Sequence, residues 1–336
     1  MPLIRTAVMF GARDLRFIDE ELPPPGEKEV FVETEVTALS TGTDLANYEG
    51  RSTEVPGAPG YPRQVGYSNV GVVCARGLGA RRWELGQRVF STRPHTSGYF
   101  SREDELLVAV PSGVVAEAAS LAYLTQLGMA ALRQVAYEPG ERVAVVGLGV
   151  IGLCTVALAN AIGARVVAVG NSDLRRTLAV EVGAASAWLS GIDEAGEADA
   201  DIVVLTANSW AAFRDAMRLA RQGGRLAVLG FPGRSQEPPQ FNPLDPKWLY
   251  RKQLSIVGAG FSATSEAPVH ELRFNLRRNL ELIFDYLRRD RLPLERIITH
   301  RFAAQRMQEA YELAVARDKQ MAAAVFDWRK LEAGPR

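Results

Sequence analysis

The stretch Val143-Ala144-Val145-Val146-Gly147-Leu148-Gly149-Val150-Ile151-Gly152 runs four apolar residues into three glycines spaced Gly-x-Gly-x-x-Gly. Four small or β-branched apolar residues closed by glycine read as a strand buried on both faces. The uncharged run that follows reads as a buried helix. A strand that turns on glycine and opens a helix is the context in which this spacing marks a dinucleotide-binding loop. Gly147 permits the tight turn, Gly149 lets a pyrophosphate approach the backbone, and Gly152 lets helix and strand pack closely. Leu148, Val150 and Ile151 complete the loop, and the helix N-terminus offers free N–H groups and a favourable dipole to the anion.

Working outward, the apolar runs at 143–146, 166–169, 202–205 and 225–229 alternate with helical stretches, and 254–257 makes a fifth strand. Continuous apolar strands separated by helices indicate a parallel sheet covered on both faces. Upstream lie short β-like runs at 6–10, 29–37, 70–74, 88–92 and 105–110, punctuated by clusters such as Pro23-Pro24-Pro25-Gly26. That is the pattern of irregular, mostly antiparallel β structure. Residues 116–136 are helical in period. The tail holds helical stretches at 271–289 and 304–316 and β-like runs at 296–302 and 321–326, too little for a core of its own. The expectation is an α/β chain in which a β-rich domain, residues 1–116 completed by 267–336, carries an inserted doubly wound domain at 117–266.

With 39 basic and 39 acidic side chains among 336 residues, the chain has no global attraction for phosphate backbones or anionic lipid. Neither nucleic acid nor a membrane is expected as a partner. The first residues carry no basic segment followed by a long apolar one, so the expectation is a cytoplasmic location. Cys74 and Cys154, far apart in apparent core segments, are expected to be small buried residues rather than a disulfide or a thiolate cluster.

The identity of the dinucleotide turns on the end of the second strand. A ribose-binding carboxylate belongs there for an NAD-type cofactor, but the strand ends in Gly170-Asn171-Ser172. Gly170 leaves room for a 2′-phosphate, Asn171 and Ser172 can donate to it, and Arg175 and Arg176 follow within a helical turn, with guanidinium groups shaped for phosphate. NADP(H) is favoured. Asp173 could serve as a displaced ribose acceptor, which keeps NAD(H) open, and the two arginines could equally be solvated helix residues.

Beyond this loop the chain resembles the medium-chain dehydrogenase/reductases, the alcohol dehydrogenase and quinone reductase superfamily. Thr41-Gly42-Thr43-Asp44-Leu45 resembles the family's Cys-Gly-Thr-Asp-Leu segment, and Gly66-Tyr67-Ser68-Asn69-Val70-Gly71 its Gly-His-Glu-x-x-Gly segment. Glu138-Pro139-Gly140 before the phosphate loop and Ile297-Ile298-Thr299-His300-Arg301-Phe302 before the last helix follow the family's order. The resemblance implies a GroES-like catalytic domain with an inserted Rossmann-type domain. It also implies a small-molecule substrate and a homodimer or homotetramer. Thr41-Gly42-Thr43-Asp44 together with Val65-Gly66-Tyr67-Ser68-Asn69-Val70-Gly71 further resembles the bacteriochlorophyllide dehydrogenase branch, whose members oxidise a hydroxyethyl side chain.

Zinc-dependent members bind their metal through a Cys, a His and a third Cys or acid. The resemblance sets Thr41, Tyr67 and Tyr123 at those positions, and hydroxyls are poor zinc ligands beside thiolate and imidazole. The expectation is a zinc-free enzyme. Without a Lewis acid, hydrogen-bond donors must stabilise the charge that hydride transfer creates. Tyr67 is the first candidate, its phenol directed into the cleft near the nicotinamide, against the alternative of an ordinary buried aromatic. Thr43 matches the family's proton-relaying hydroxyl; Thr41 and Tyr123 are further donors, and Asp44 is a supporting residue. His95 is a candidate on a loop near the cleft, or simply an exposed histidine. The resemblance adds Thr206, Asn208, Gly230, Phe231, Gly258 and Lys319 to the cofactor site, and residues 51–63 and 261–269 to the substrate entrance. Reduction of a conjugated C=C, reduction of a ketone or its reverse, and cofactor binding without catalysis all remain open.

Overall fold

The computed structural model describes residues 3–51, 60–191, 199–264 and 272–329. Its first half contains β1 (Leu3–Gly11), β2 (Asp14–Glu21), β3 (Glu29–Ala38), α1 (Thr43–Tyr48), β4 (Arg63–Gln64), β5 (Asn69–Arg76), β6 (Arg88–Ser91), β7 (Gly98–Arg102), β8 (Val108–Ala109) and α2 (Ala116–Ser120). There follow α3 (Ala122–Gln134), β9 (Arg142–Val146), α4 (Val150–Ala161), β10 (Arg165–Gly170), α5 (Asp173–Glu181), β11 (Ser186–Leu189), β12 (Ala200–Leu205), α6 (Trp210–Leu219), β13 (Ala220–Val228) and β14 (Ser255–Gly258). The tail adds α7 (Leu276–Arg288), β15 (Ile298–Ala303), α8 (Met307–Val315) and β16 (Ala323–Asp327).

Two compact units result: residues 1–123, 280–288 and 298–336 form one, and residues 124–279 and 289–297 the other. The first is β-rich, with a three-stranded sheet β2-β1-β4 and a seven-stranded sheet ordered β15-β16-β3-β5-β6-β8 with β7 on β3. Pairing is antiparallel except between β15 and β16. The tail joins this sheet because β16 lies against β3, Phe326 opposite Thr37. Its Tyr311, Phe326 and Trp328 share one apolar core with Ala7, Leu39 and Tyr48.

The second unit is a six-stranded sheet in the order β11-β10-β9-β12-β13-β14, parallel throughout. The chain winds outward from β9 to β11 and then restarts on the other side at β12, so the switch point lies between β9 and β12. Helix α4, apolar all round, is buried along nearly its whole length, as such a helix must be. The expected α/β architecture is therefore present. Among the described residues no helix is long and apolar enough to cross a membrane.

The structure departs from the expected elements in several places. Residues 116–136 form two helices that break at Leu121, and the run at 105–110 shrinks to β8. Strands β2 and β11 are edge strands whose side chains are largely exposed or half-buried, so they carry little apolar pattern. Cys154 is buried, but Cys74 is exposed: Val73 faces the core, and alternation along β5 turns the next side chain outward, where its sulfur contacts Glu33 Oε2 at 3.4 Å.

Candidate active site

In the α/β unit the phosphate loop sits at the switch point, where ligands collect at strand C-termini. Gly147 has φ +100°, and a Cβ there would stand 2.7 Å from the Ala207 nitrogen. A Cβ on Gly152 would lie 1.9 Å from the Gly147 carbonyl oxygen. Only glycine fits either place. Helix α4 begins at Gly149 with no side-chain cap, so the N–H groups of its first turn face a ligand uncovered. Leu148 and Val150 are buried, so a ligand at this loop would meet their backbone rather than their side chains. The loop fits a pyrophosphate.

Around it, the Thr206 hydroxyl donates to the Gly147 carbonyl at 2.7 Å, tying the ends of β9 and β12 together. Asn208 Oδ1 accepts from the Phe231 N–H at 2.8 Å, and the Gly230 N–H reaches the Leu205 carbonyl at 2.9 Å. Both therefore shape the loop after β13. Gly258 ends β14, and Lys319 is exposed in the turn before β16. At the end of β10, Gly170 is packed against Leu148, whose side chain a Cβ would meet at 2.8 Å. Asn171 is exposed. Ser172 is buried and caps α5, its oxygen accepting from the Arg175 N–H at 3.4 Å. The Arg176 guanidinium donates to the Gly170 carbonyl at 3.1 Å and pairs with Asp173. No carboxylate terminates β10; the nearest acid, Asp173, opens α5 paired to Arg176.

The β-rich unit gathers the remaining candidates. The turn between β4 and β5 carries Tyr67 after Gly66, whose φ of +87° suits glycine. The Tyr67 hydroxyl donates to Ser40 Oγ and is also hydrogen-bonded to Thr43. Its ring meets that of Tyr123 edge-on, centroids 5.0 Å apart. Burial and then the negative charge of Asp44 push the Tyr67 phenol well above its ordinary pKa, against the opposing pull of Ser40 and Thr43. Burial raises Tyr123 as well. Thr41 is half-buried beside Ser40, and Thr43, in the first turn of α1, is exposed.

Asp44 and His95 lie deeper. Asp44 is only 1% exposed, and its two oxygens accept the N–H groups of Ser40 at 3.0 Å and Gly66 at 3.2 Å. His95, far from being an exposed loop residue, is fully buried, with Nδ1 2.8 Å from Thr37 Oγ1. Chain contacts fix it there: its N–H reaches the Val65 carbonyl and its own carbonyl receives Ala7 N–H. Ser40 was not among the residues expected; the only signal for it was a hydroxyl next to Thr41 at the end of an apolar strand. Residues 52–59 and 265–269 of the expected entrance, like His270, lie outside the described residues.

The positions implied for metal ligands hold one hydroxyl and two phenols that burial keeps protonated. Among the described residues no group of three His, Cys, Asp or Glu could hold a metal. This donor set does not fit zinc, and no step below runs through a metal.

Residues 150–274 match the family model described as Zinc-binding dehydrogenase. Sorbitol dehydrogenase of Bacillus subtilis is 22% identical, over 93% of this chain and 94% of its own length. The crystal structure of galactitol-1-phosphate dehydrogenase from Escherichia coli superposes with TM-score 0.80 at 19% identity, covering 96% of this chain and 99% of that one. A putative zinc-binding dehydrogenase from Sinorhizobium meliloti 1021 bound to NADP superposes with TM-score 0.76 at 19% identity, over 97% and 100% of the two chains. Dehydrogenases of this kind, together with the glycine loop, define an oxidoreductase that uses NAD(P). Over residues 150–274 the chain matches the zinc-binding dehydrogenase model, and over nearly its whole length it is similar to zinc-type alcohol dehydrogenase-like medium-chain dehydrogenase/reductases.

Proposed function

We propose that this oxidoreductase is a zinc-independent, NADP(H)-dependent reductase of a carbonyl compound, in which the Tyr67 hydroxyl turns from Ser40 to give the substrate oxygen a hydrogen bond and then a proton. The observation that carries the reading is the Tyr67 phenol, held by Ser40 and Thr43, at the position to which the resemblance assigns the family's metal-ligating histidine. When bound, the reduced nicotinamide supplies the hydride. The chain must then stabilise the oxygen that becomes negative, and one well-placed donor is worth about 100- to 1000-fold in rate. A phenol whose pKa is raised keeps its proton and acts as donor rather than base, which favours reduction over alcohol oxidation. Asn171 and the arginines near the end of β10, with no carboxylate closing the strand, support NADP(H) over NAD(H). The names of the relatives, sorbitol and galactitol-1-phosphate dehydrogenase, support a polyol-type C–OH/C=O pair.

Reduction of a conjugated C=C draws on the same donor, because delocalisation carries the charge to the carbonyl oxygen as an enolate. The test is a panel of hydroxyketones, simple ketones and enones, read by loss of NADPH or NADH absorbance. The proposal expects turnover of hydroxyketones with NADPH preferred. Turnover confined to enones would replace it with alkene reduction, and tight NADPH binding without turnover across the panel would overturn it.

A further inference from the structure

Behind Tyr67 lies a cluster of buried polar groups that the hydride-transfer reading does not use. The Asp44 carboxylate joins two stretches of chain that are distant in sequence: one oxygen takes the Ser40 N–H and the other the Gly66 N–H. Ser40 and Tyr67 are the two ends of the donor pair, so Asp44 holds both ends from below. His95 Nε2 lies 3.8 Å from Asp44 Oδ2, too far for a direct hydrogen bond, and has no other partner. The Tyr311 hydroxyl is likewise fully buried and unpartnered, and burial and then the negative charge of Asp44 hold its pKa well above the ordinary value.

The tautomer of His95 follows from its neighbours. Thr37 Oγ1 accepts the Trp328 indole N–H at 2.9 Å and lies 2.8 Å from His95 Nδ1, to which its own proton is free to turn. The ring proton then sits on Nε2, directed to the side of the carboxylate. Two buried donors without acceptors therefore share this core with a carboxylate that has lone pairs to spare, His95 Nε2 being 3.8 Å from it. A single water between them would satisfy all three, accepting from His95 Nε2–H and Tyr311 O–H and donating to Asp44 Oδ2. Buried waters occupy such polar sites with two to four partners, and leaving the donors unmet is costly.

We propose that Asp44 is a positioning residue that clamps the Tyr67–Ser40 donor pair through the backbone, and that His95 and Tyr311 hold it across one enclosed water molecule. The catalytic part rests on Tyr67 acting as donor; the clamp does not. Amide hydrogen exchange therefore gives a readout without turnover. In Asp44→Asn, with its charge gone and an amide facing one of the two N–H groups, exchange at Ser40 and Gly66 is expected to rise about tenfold or more. Exchange along β9 and NADPH affinity stay unchanged. If turnover exists, kcat falls about 10- to 100-fold while KM moves less than about threefold, the pattern of a misplaced donor. Tyr311→Phe, a mild change that keeps the ring, is expected to speed exchange at the same two amides by about threefold, because the water loses one of its partners.

Unchanged exchange at Ser40 and Gly66 in Asp44→Asn would overturn the clamp. Unchanged or slower exchange in Tyr311→Phe would overturn the water. Faster exchange in Asp44→Asn with kcat intact would confirm the clamp and overturn the catalytic role of the pair it holds, which separates this inference from the reading of Tyr67. Should Asp44→Asn not fold, the Tyr311→Phe result and a crystal structure showing density between His95, Tyr311 and Asp44 carry the test.

Discussion

At Gly152 a hydrogen stands where a methyl would meet the Gly147 carbonyl oxygen at 1.9 Å. The clash is with backbone, so no side-chain rotation relieves it; the turn or the helix must move. Gly152→Ala should therefore weaken NADPH binding by at least about tenfold, equivalent to about 1.4 kcal/mol, while the β-rich unit keeps its fold. Calorimetric titration with NADPH checks this, and an unchanged affinity would mean that the loop does not hold the pyrophosphate. Individual residues of the other unit were less legible. Tyr67, Thr43 and Thr41 could be picked out from the motif they resemble. That Ser40 accepts a hydrogen bond from Tyr67, or that His95 is sealed from solvent, depends on contacts between β3, β5 and the tail that no local pattern records.

Elements were legible in proportion to how deeply they are buried. β9, β10 and β12 are flanked by strands on both sides, so their apolar runs are continuous and stand out. β2, with the sequence Asp-Leu-Arg-Phe-Ile-Asp-Glu-Glu, lies at a sheet edge and is defined by its pairing with β1 rather than by apolar content. The ends of the central strands carry a further device. Asp201, on β12, accepts the Arg142 N–H of β9 at 2.8 Å and the Arg221 guanidinium of β13 at 2.5 Å. Burial alone would raise its pKa, but these donors more than offset that and leave it lowered. A carboxyl with a depressed folded pKa adds stability above its unfolded pKa, about 3.9 for aspartate, and loses it as pH falls through the folded value. Thermal stability is thus expected to drop with acidification below about pH 4, and Asp201→Asn should flatten part of that fall. Melting curves across the acid range decide it; identical slopes for the two proteins would remove Asp201 from the account.

For the whole molecule, the arrangement that matters is one chain carrying two kinds of chemistry in two compact units. A glycine loop on the parallel sheet fits a dinucleotide, and a β-rich unit gathers hydroxyls at the positions that the resemblance assigns to metal ligands. The fold and the family it resembles were readable because the loop, its strand and its helix repeat a spacing that physical constraints allow little freedom to alter. Substrate was not readable, because specificity depends on the shape of an entrance that varies freely without disturbing either core. The central claim is that a protonated phenol replaces a Lewis acid. It is tested most directly by measuring NADPH-dependent turnover of chelator-treated wild-type protein, with its metal content, beside that of Tyr67→Phe. The account predicts full turnover without zinc in the wild type and a loss of about 100-fold or more in Tyr67→Phe at unchanged NADPH affinity. Turnover that rises and falls with bound zinc, or that survives intact in Tyr67→Phe, would contradict it.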